Sequence, residues 1–432
     1  MKKFLLFVLI AGVVLLSGCA SVGKLTGLDL PPVPTAETAA DAYTPASPTS
    51  NLTETEHQHI IINFEQTKLE AYDPREGTEL ILSFSYETPY VHIPANMAAE
   101  ERVNEYIAML NESFYTGDSY GIVYDSGCAP GYINMLTEAE DNYNFIVDSG
   151  VEYAAYELAN SRTVSVQRCD DAVLSLRYYD YINLGGVHGG YAYRAYNFDT
   201  TTGELITLDD LSNDSAGLKA FLKSYMLERV RESAELQQQM EGFVDCEGMP
   251  STEEALSALV REGSWYMNDK GLLICSDLYE LGSYAAGTME FFIPFNSLEA
   301  YIKPQYIPET MTETGLFKVI PAEQLNESSK EIIDMLRLSD DGQALYLVAE
   351  GTAKNVRLAK VDYADRFYET ETLWHCSNMT NCVLQLVTNV PEGMPELKIS
   401  YCDAAGEHVY YLSQSGIDGS FILVGDNIEA VG

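Results

Sequence analysis

Four groups of side chains in this sequence have the type and spacing to do chemistry. The first is the thiol of Cys19, which closes the run Leu16-Ser17-Gly18-Cys19 behind an apolar stretch. The second is the imidazole of His188, set in Gly185-Gly186-Val187-His188-Gly189-Gly190. The third is the carboxylate pair Asp209-Asp210, and the fourth is the set of seven further cysteines, at 128, 169, 246, 275, 376, 382 and 402. A histidine that catalyses needs a carboxylate or nucleophile within reach, and the spacing shows no such constellation around His188. Its glycines instead suit positive φ or close backbone approach at a turn that His188 would fix by hydrogen bonding. Adjacent residues such as Asp209 and Asp210 point in different directions, so helix capping is expected of them. Asp199 reads as a hairpin-turn residue. Ser283 lies in no Gly-x-Ser-x-Gly elbow, and no phosphate loop or dinucleotide fingerprint is present. The spaced oxygen ligands of a calcium loop are also missing. The cysteines contain no Cys-x-x-Cys pair and the six histidines do not cluster, so neither metal nor cofactor is expected. In an exported chain disulfides are permitted, and Cys246 with Cys275 is a candidate bridge. With seven thiols, at least one stays unpaired or pairs between chains.

Export itself is read from the first residues. Lys2 and Lys3 precede an almost unbroken apolar run from Phe4 to Leu16, which is short for a bilayer span and has the shape of a signal-peptide core. The sequence Leu16-Ser17-Gly18-Cys19 resembles the bacterial lipobox, in which the cysteine sulfur accepts a diacylglyceryl group. An ordinary secretory signal beside an unrelated cysteine is the alternative. Residues 1–18 are thus expected to be a lipoprotein signal peptide, with the protein held at the cell membrane on its extracytoplasmic side through Cys19. Residues 19–57 are rich in Pro, Thr, Ala and Ser, a composition that cannot bury enough apolar surface to offset ordering, so a solvated tether is expected.

Beyond the tether the elements that would position the candidate groups read as α+β. Ile60, Ile62 and Phe64 alternate as on a strand, and Leu80 to Phe84 follows after Pro-Arg-Glu-Gly. Ala95 to Tyr115 predicts a helix with Val103, Ile107, Leu110 and Phe114 on one face. A second helix is predicted over Thr137 to Asn160. Residues 58–160 form the expected strand-helix module, and 161–308 an antiparallel sheet with packed helices. In the latter, Ser161–Gln167, Val173–Asn183 and Tyr191–Asp199 read as strands. Helices are predicted from about Gly217 to Met240 and near Thr252 to Arg261. Further strands are expected around Trp265, Leu272 to Cys275 and Met289 to Pro294. Residues 309–432 show short, evenly spaced strands, the pattern of a small all-β, sandwich-like domain. On the strands, Tyr178, Tyr179, Tyr181, Tyr191, Tyr193 and Tyr196 must divide between the two faces, some to core and some to an exposed recognition surface.

Charge narrows the partners. The 432-residue chain carries 25 basic and 65 acidic side chains, a formal net charge of −40. Nucleic acid and anionic lipid surfaces would be repelled, whereas a cationic partner would be steered in.

Tyr178 to Leu211, with Gly185-Gly186-Val187-His188-Gly189, Tyr196-Asn197-Phe198-Asp199, Thr202-Gly203 and Leu208-Asp209-Asp210-Leu211, carries a recognisable signature. So do Tyr284-Ala285-Ala286-Gly287 and Phe291-Phe292-Ile293-Pro294-Phe295. This pattern resembles the extracellular domain of RsiV-like anti-sigma factors, also found in the non-catalytic N-terminal region of PdaC-like peptidoglycan deacetylases. The likeness covers about residues 59–303. It implies an α+β binding module exposed in the envelope, and a cationic protein such as lysozyme as partner. The sequence departs from those families in showing neither an anti-sigma segment nor the metal-binding histidines of a deacetylase. A non-enzymatic, surface-anchored binding lipoprotein is therefore expected. A glycan-acting enzyme with a site invisible to spacing, or a structural envelope protein, are the alternatives.

Overall fold

The computed structural model describes residues 59–117, 123–124, 127–128, 131–150, 157–186, 188–321, 331–364, 367–390, 394–415 and 420–425. The signal peptide, Cys19 and the tether expected over 19–57 lie outside them. The chain is a mixed α and β protein with a large, mostly antiparallel sheet, seven helices among the described residues and a β-rich C-terminal region.

β1 (Ile61–Tyr72) and β2 (Leu80–His92) form a long antiparallel hairpin. Its connection is organised by Asp73, whose carboxylate accepts the N–H groups of Arg75, Glu76, Thr78 and Glu79 at 3.0, 2.6, 2.7 and 2.9 Å. These donors hold the Asp73 carboxyl far below the usual carboxylate range. α1 (Met97–Thr116) starts at Asn96, whose side chain accepts from Ala99 N, and ends at Gly117 in the left-handed region (φ 79°). Val103, Ile107, Leu110 and Phe114 are buried on its inner face as the spacing predicts. Each such side chain contributes roughly 1.5–3 kcal/mol. After the two-residue strands β3 (Val123–Tyr124) and β4 (Gly127–Cys128) comes α2 (Tyr132–Ser149). The second predicted helix is thus shifted towards the N-terminus. Gly150 (φ 66°) stops it, and Leu158-Ala159-Asn160, expected at the helix end, opens a strand.

That strand is β5 (Leu158–Cys169), parallel to β2; β6 (Val173–Asn183) and β7 (Gly190–Asp199) follow it antiparallel. α3 (Leu208–Leu211) leads to α4 (Ser215–Glu232) and α5 (Ala234–Met240). One helix was predicted over 217–240. Ser233 breaks it, because its side chain caps Leu236 N and starts a new helix. α6 (Thr252–Ala258) precedes a three-stranded sheet of β8 (Trp265–Met267), β9 (Gly271–Cys275) and β10 (Glu290–Pro294), closed by α7 (Phe295–Leu298). α1 and α2 pack on one face of the main sheet; α4, α6 and the small sheet share a second core on the other side. Ser175 and Asn197 stitch that side together, since Met267 N–H donates to Ser175 Oγ at 3.3 Å and Asn197 Nδ2 donates to Trp265 O at 3.2 Å.

The C-terminal strands are β11 (Gly315–Pro321), β12 (Ile332–Arg337), β13 (Gln343–Tyr363), β14 (Phe367–Thr380), β15 (Val383–Thr388), β16 (Leu397–Asp403), β17 (Gly406–Gln414) and β18 (Phe421–Gly425). β13 is long enough to pair with β11 and β15 through its first half and with β14 and β16 farther along. Both groups of strands bury side chains in one core around Trp374, Leu345 and Ile399. This region is not detached from the rest. β1 pairs with β14 through Ile61–Cys376, Ile62–His375 and Asn63–Trp374, so the sheet runs β18-β17-β16-β13-β14-β1-β2-β5-β6-β7.

Candidate functional site

The tyrosines of β6 and β7 sort by parity. Tyr178 faces α1, is 1% exposed and packs edge-on against Tyr196 with ring centroids 5.5 Å apart. Burial pushes its phenol far above the ordinary range. Beside it lies a buried ion pair: Arg162 Nε and Nη2 donate to Asp180 Oδ1 and Oδ2 at 2.7 and 2.8 Å, and Nη1 donates to Leu110 O at 2.8 Å. This face is core. On the opposite face Tyr179 pairs across the ladder with Tyr193, and Tyr181 with Tyr191. Their rings cluster, with centroids 5.1 Å apart for Tyr179–Tyr193, 5.6 Å for Tyr179–Tyr191 and 5.8 Å for Tyr191–Tyr193. All are half-buried. Burial pushes the Tyr179 phenol up to about 12. The Arg177 guanidinium lies 3.8 Å from the Tyr193 ring centre and 5.0 Å from that of Tyr266, and pairs with Glu290.

The glycine loop closes one end of this face. Gly185 takes φ 76°, a left-handed conformation costly for other residues. Gly189 matters through space: a Cβ there would sit 2.5 Å from the Tyr181 ring, so glycine lets the tyrosine lie across the chain. Gly186 has open surroundings, and nothing in the structure explains its type. His188 stacks on Tyr284 at 3.8 Å between centroids and 23° between planes. Its Nδ1 lies 3.0 Å from Gly189 O and its Nε2 3.3 Å from Tyr279 Oη. His188 therefore ties its own loop to the segment carrying Tyr279 and Tyr284, and among the described residues it meets no carboxylate. Tyr279, itself at φ 63°, is 47% exposed. The result is an aromatic surface of Tyr179, Tyr191, Tyr193, Tyr279, Tyr284 and His188. It can bind through ring faces and phenol hydroxyls.

Other expected positions resolve as local structure. Asp210 completes a capping box with Thr207, and Asp209 pairs with Lys219 at 2.6 Å. Asp199 accepts Thr201 N and Thr202 N in a turn. The candidate disulfide is not formed. Cys246 is an exposed free thiol 3.5 Å from Gly242 O, whereas Cys275 is a buried free thiol at the end of β9, 3.7 Å from Glu290 Oε1. Proximity in sequence was the only support for the pair, and the strand carries Cys275 inward. Among the described residues no group of three or more His, Cys, Asp or Glu side chains is placed to hold a metal. Arg177, Tyr266 and Tyr279 were not singled out from sequence. They reach the face from three separate segments, and the abundance of tyrosine was the one signal available.

Residues 209–296 match the model of the DUF3298 family, described as a protein of unknown function. The chain thus carries a DUF3298 domain that includes α4, α6, the three-stranded sheet and three residues of the aromatic surroundings, Tyr266, Tyr279 and Tyr284. Among solved structures it is similar to a member of that family from Bacteroides fragilis, at 15% identity and a TM-score of 0.40, covering 57% of this chain and 94% of the other. It is also similar to a DUF3298 family protein from Pseudomonas aeruginosa, at 14% identity and a TM-score of 0.35, covering 57% and 97%. No curated protein matches the chain.

Proposed function

We propose that this protein is a non-enzymatic binding lipoprotein of the bacterial cell envelope, tethered through Cys19, whose RsiV-like region captures a cationic protein such as lysozyme. The observation that carries the role is the tyrosine face of β6 and β7. Its rings are half-exposed and ordered by the sheet, while on the opposite face Tyr178 is sealed in the core and Tyr196 packs partly buried against it. Tyrosine suits such surfaces because it offers a large ring and a polar end at small entropic cost. The formal charge of −40 supports a cationic partner, since long-range attraction raises the association rate and fades with salt. The proposed anchor is the lipid on Cys19, supported by the Leu16-Ser17-Gly18-Cys19 run behind its apolar stretch.

Titration of the full-length chain with hen lysozyme at low and moderate salt tests the partner. Binding that weakens as salt rises, and weakens at least tenfold in Tyr179→Ala/Tyr284→Ala, is the expected result. No binding at either salt removes lysozyme as the partner. Binding indifferent to both tyrosines moves the site elsewhere.

A further inference from the structure

β7 ends the main sheet, with β6 on one side and no strand paired along its other side among the described residues. In an antiparallel ladder, successive residues alternately aim their main-chain groups at the neighbour and away from it. Ala195 N–H donates to Gly263 O at 2.9 Å, and Asn197 O accepts Ile206 N–H at 2.7 Å, so both aim away from β6. Tyr191 and Tyr193 share that parity. Tyr193 O accepts from Arg194 Nη1 at 2.6 Å, and Asp277 holds the same guanidinium at 2.5 Å. The Tyr191 N–H and C=O and the Tyr193 N–H take no partner among the described residues. The side chains of these two residues are the ones that build the tyrosine face. An open edge and a recognition face therefore meet at the same two residues. Exposed edges of this kind accept an added strand, whose main chain supplies affinity and whose alternate side chains supply specificity.

Charge selects the occupant. A second copy of the chain would bring a formal −40 against −40 and be repelled, whereas a basic segment is drawn in. The face also shows which basic group it accommodates, because Arg177 already lies over Tyr193 and Tyr266. We propose that the open edge of β7 at Tyr191–Tyr193 takes an extended, arginine-bearing segment of the protein partner as an added strand, with alternate guanidinium groups laid on the tyrosine face. This deepens the binding role proposed above and rests on it.

The test is calorimetric titration of the full-length chain with an eight-residue peptide of alternating Arg and Val. Two analogues accompany it, one N-methylated at every Arg and one at every Val, because only one of those two sets of N–H groups faces β7 in a given strand direction. One analogue is expected to bind at least tenfold more weakly than the parent. Tyr191→Pro should likewise bind at least tenfold more weakly than Tyr191→Ala, since both lose the ring and only proline loses the edge N–H; edge strands tolerate proline on that side. Equal binding by the parent and both analogues overturns the proposal, as does equal binding by the two variants when both are folded. If Tyr191→Pro does not fold, the analogues on the unaltered chain decide. Failure of the peptide to bind, with lysozyme binding retained, sinks the added strand alone. Failure of both peptide and lysozyme sinks the cationic-partner role as well.

Discussion

His188, framed by glycines, spends its contacts on Gly189 O, Tyr279 and the Tyr284 ring, which is the work of a brace. Arg162, unremarkable in sequence, is 6% exposed and forms a bidentate pair with Asp180, which is 2% exposed. Removing one partner leaves the other charge buried and uncompensated. Arg162→Met is therefore expected to cost about 3–5 kcal/mol in chemical denaturation, and Arg162→Met with Asp180→Leu markedly less. The cysteines separate by burial in the same way. Cys246 is exposed and unbonded, so Cys246→Ser should change stability by no more than about 0.5 kcal/mol, as for other surface sites. A loss of several kcal/mol in that variant would mean that the thiol is in fact bridged. Alternation along β6 announced that half the tyrosines must be inside. Which half depended on the side taken by α1, a long-range fact.

At the scale of elements, local chemistry was legible wherever a cap or turn governed it. α1 runs from its Asn96 cap to Gly117, close to the span predicted from its apolar spacing. The box formed by Thr207 and Asp210 explains why Asp209-Asp210 looked like a helix start. Thr207→Ala is expected to lose roughly 1 kcal/mol in thermal or chemical unfolding, with no effect on the Asp209–Lys219 pair. Where boundaries were misplaced, a short-range competitor prevailed over periodicity. Ser233 interrupts a continuous helical pattern by offering its hydroxyl to a new helix N-terminus. α2 ends at Gly150 because the left-handed cap is available there, although apolar spacing continues beyond it.

At the scale of the molecule, the two halves of the chain meet at a layer of buried titratable groups. Glu87 of β2 is 4% exposed and accepts Val164 N–H at 2.7 Å. Burial and the nearby Glu371 raise its carboxyl to about 7, against the opposing effects of the Val164 N–H and of Arg357. His375, opposite Ile62 of β1 and Arg357 of β13, is 3% exposed with an unpartnered Nδ1; burial and Arg357 lower it to about 3. The two act in opposite directions. A carboxyl raised on folding stabilises fully below its unfolded value of 4.5, and that contribution is lost as pH rises to about 7. A histidine lowered on folding stabilises above its unfolded value of 6.5, and that contribution is lost as pH falls towards 3. Between 4.5 and 6.5 the two slopes oppose each other. Glu87→Gln keeps an acceptor for Val164 and removes one slope. The variant should gain on the order of 3 kcal/mol above pH 7, and should lose stability more steeply than the parent as pH falls below 6.5. Denaturation midpoints from pH 4 to pH 8 measure both effects, and parallel curves for parent and variant would count against a buried Glu87.

Sequence alone determined what depends on neighbours along the chain. It settled the mixed composition of helices and strands, the apolar stripe of α1, the turns at Pro-Arg-Glu-Gly, Asp199 and the glycine loop, and the strongly acidic charge. These follow from 3.6- and 2-residue periods, from the few residues that tolerate positive φ, and from counting. Tertiary structure alone decided that β1 pairs with β14 and so extends one sheet into the C-terminal region, that Cys246 and Cys275 stand apart, and that Tyr266, Tyr279 and Tyr284 join the tyrosines of β6 and β7. Each of those outcomes turns on pairing between segments far apart in sequence. Register and burial are properties of the folded sheet, and no local pattern encodes which distant edge or ring will be met.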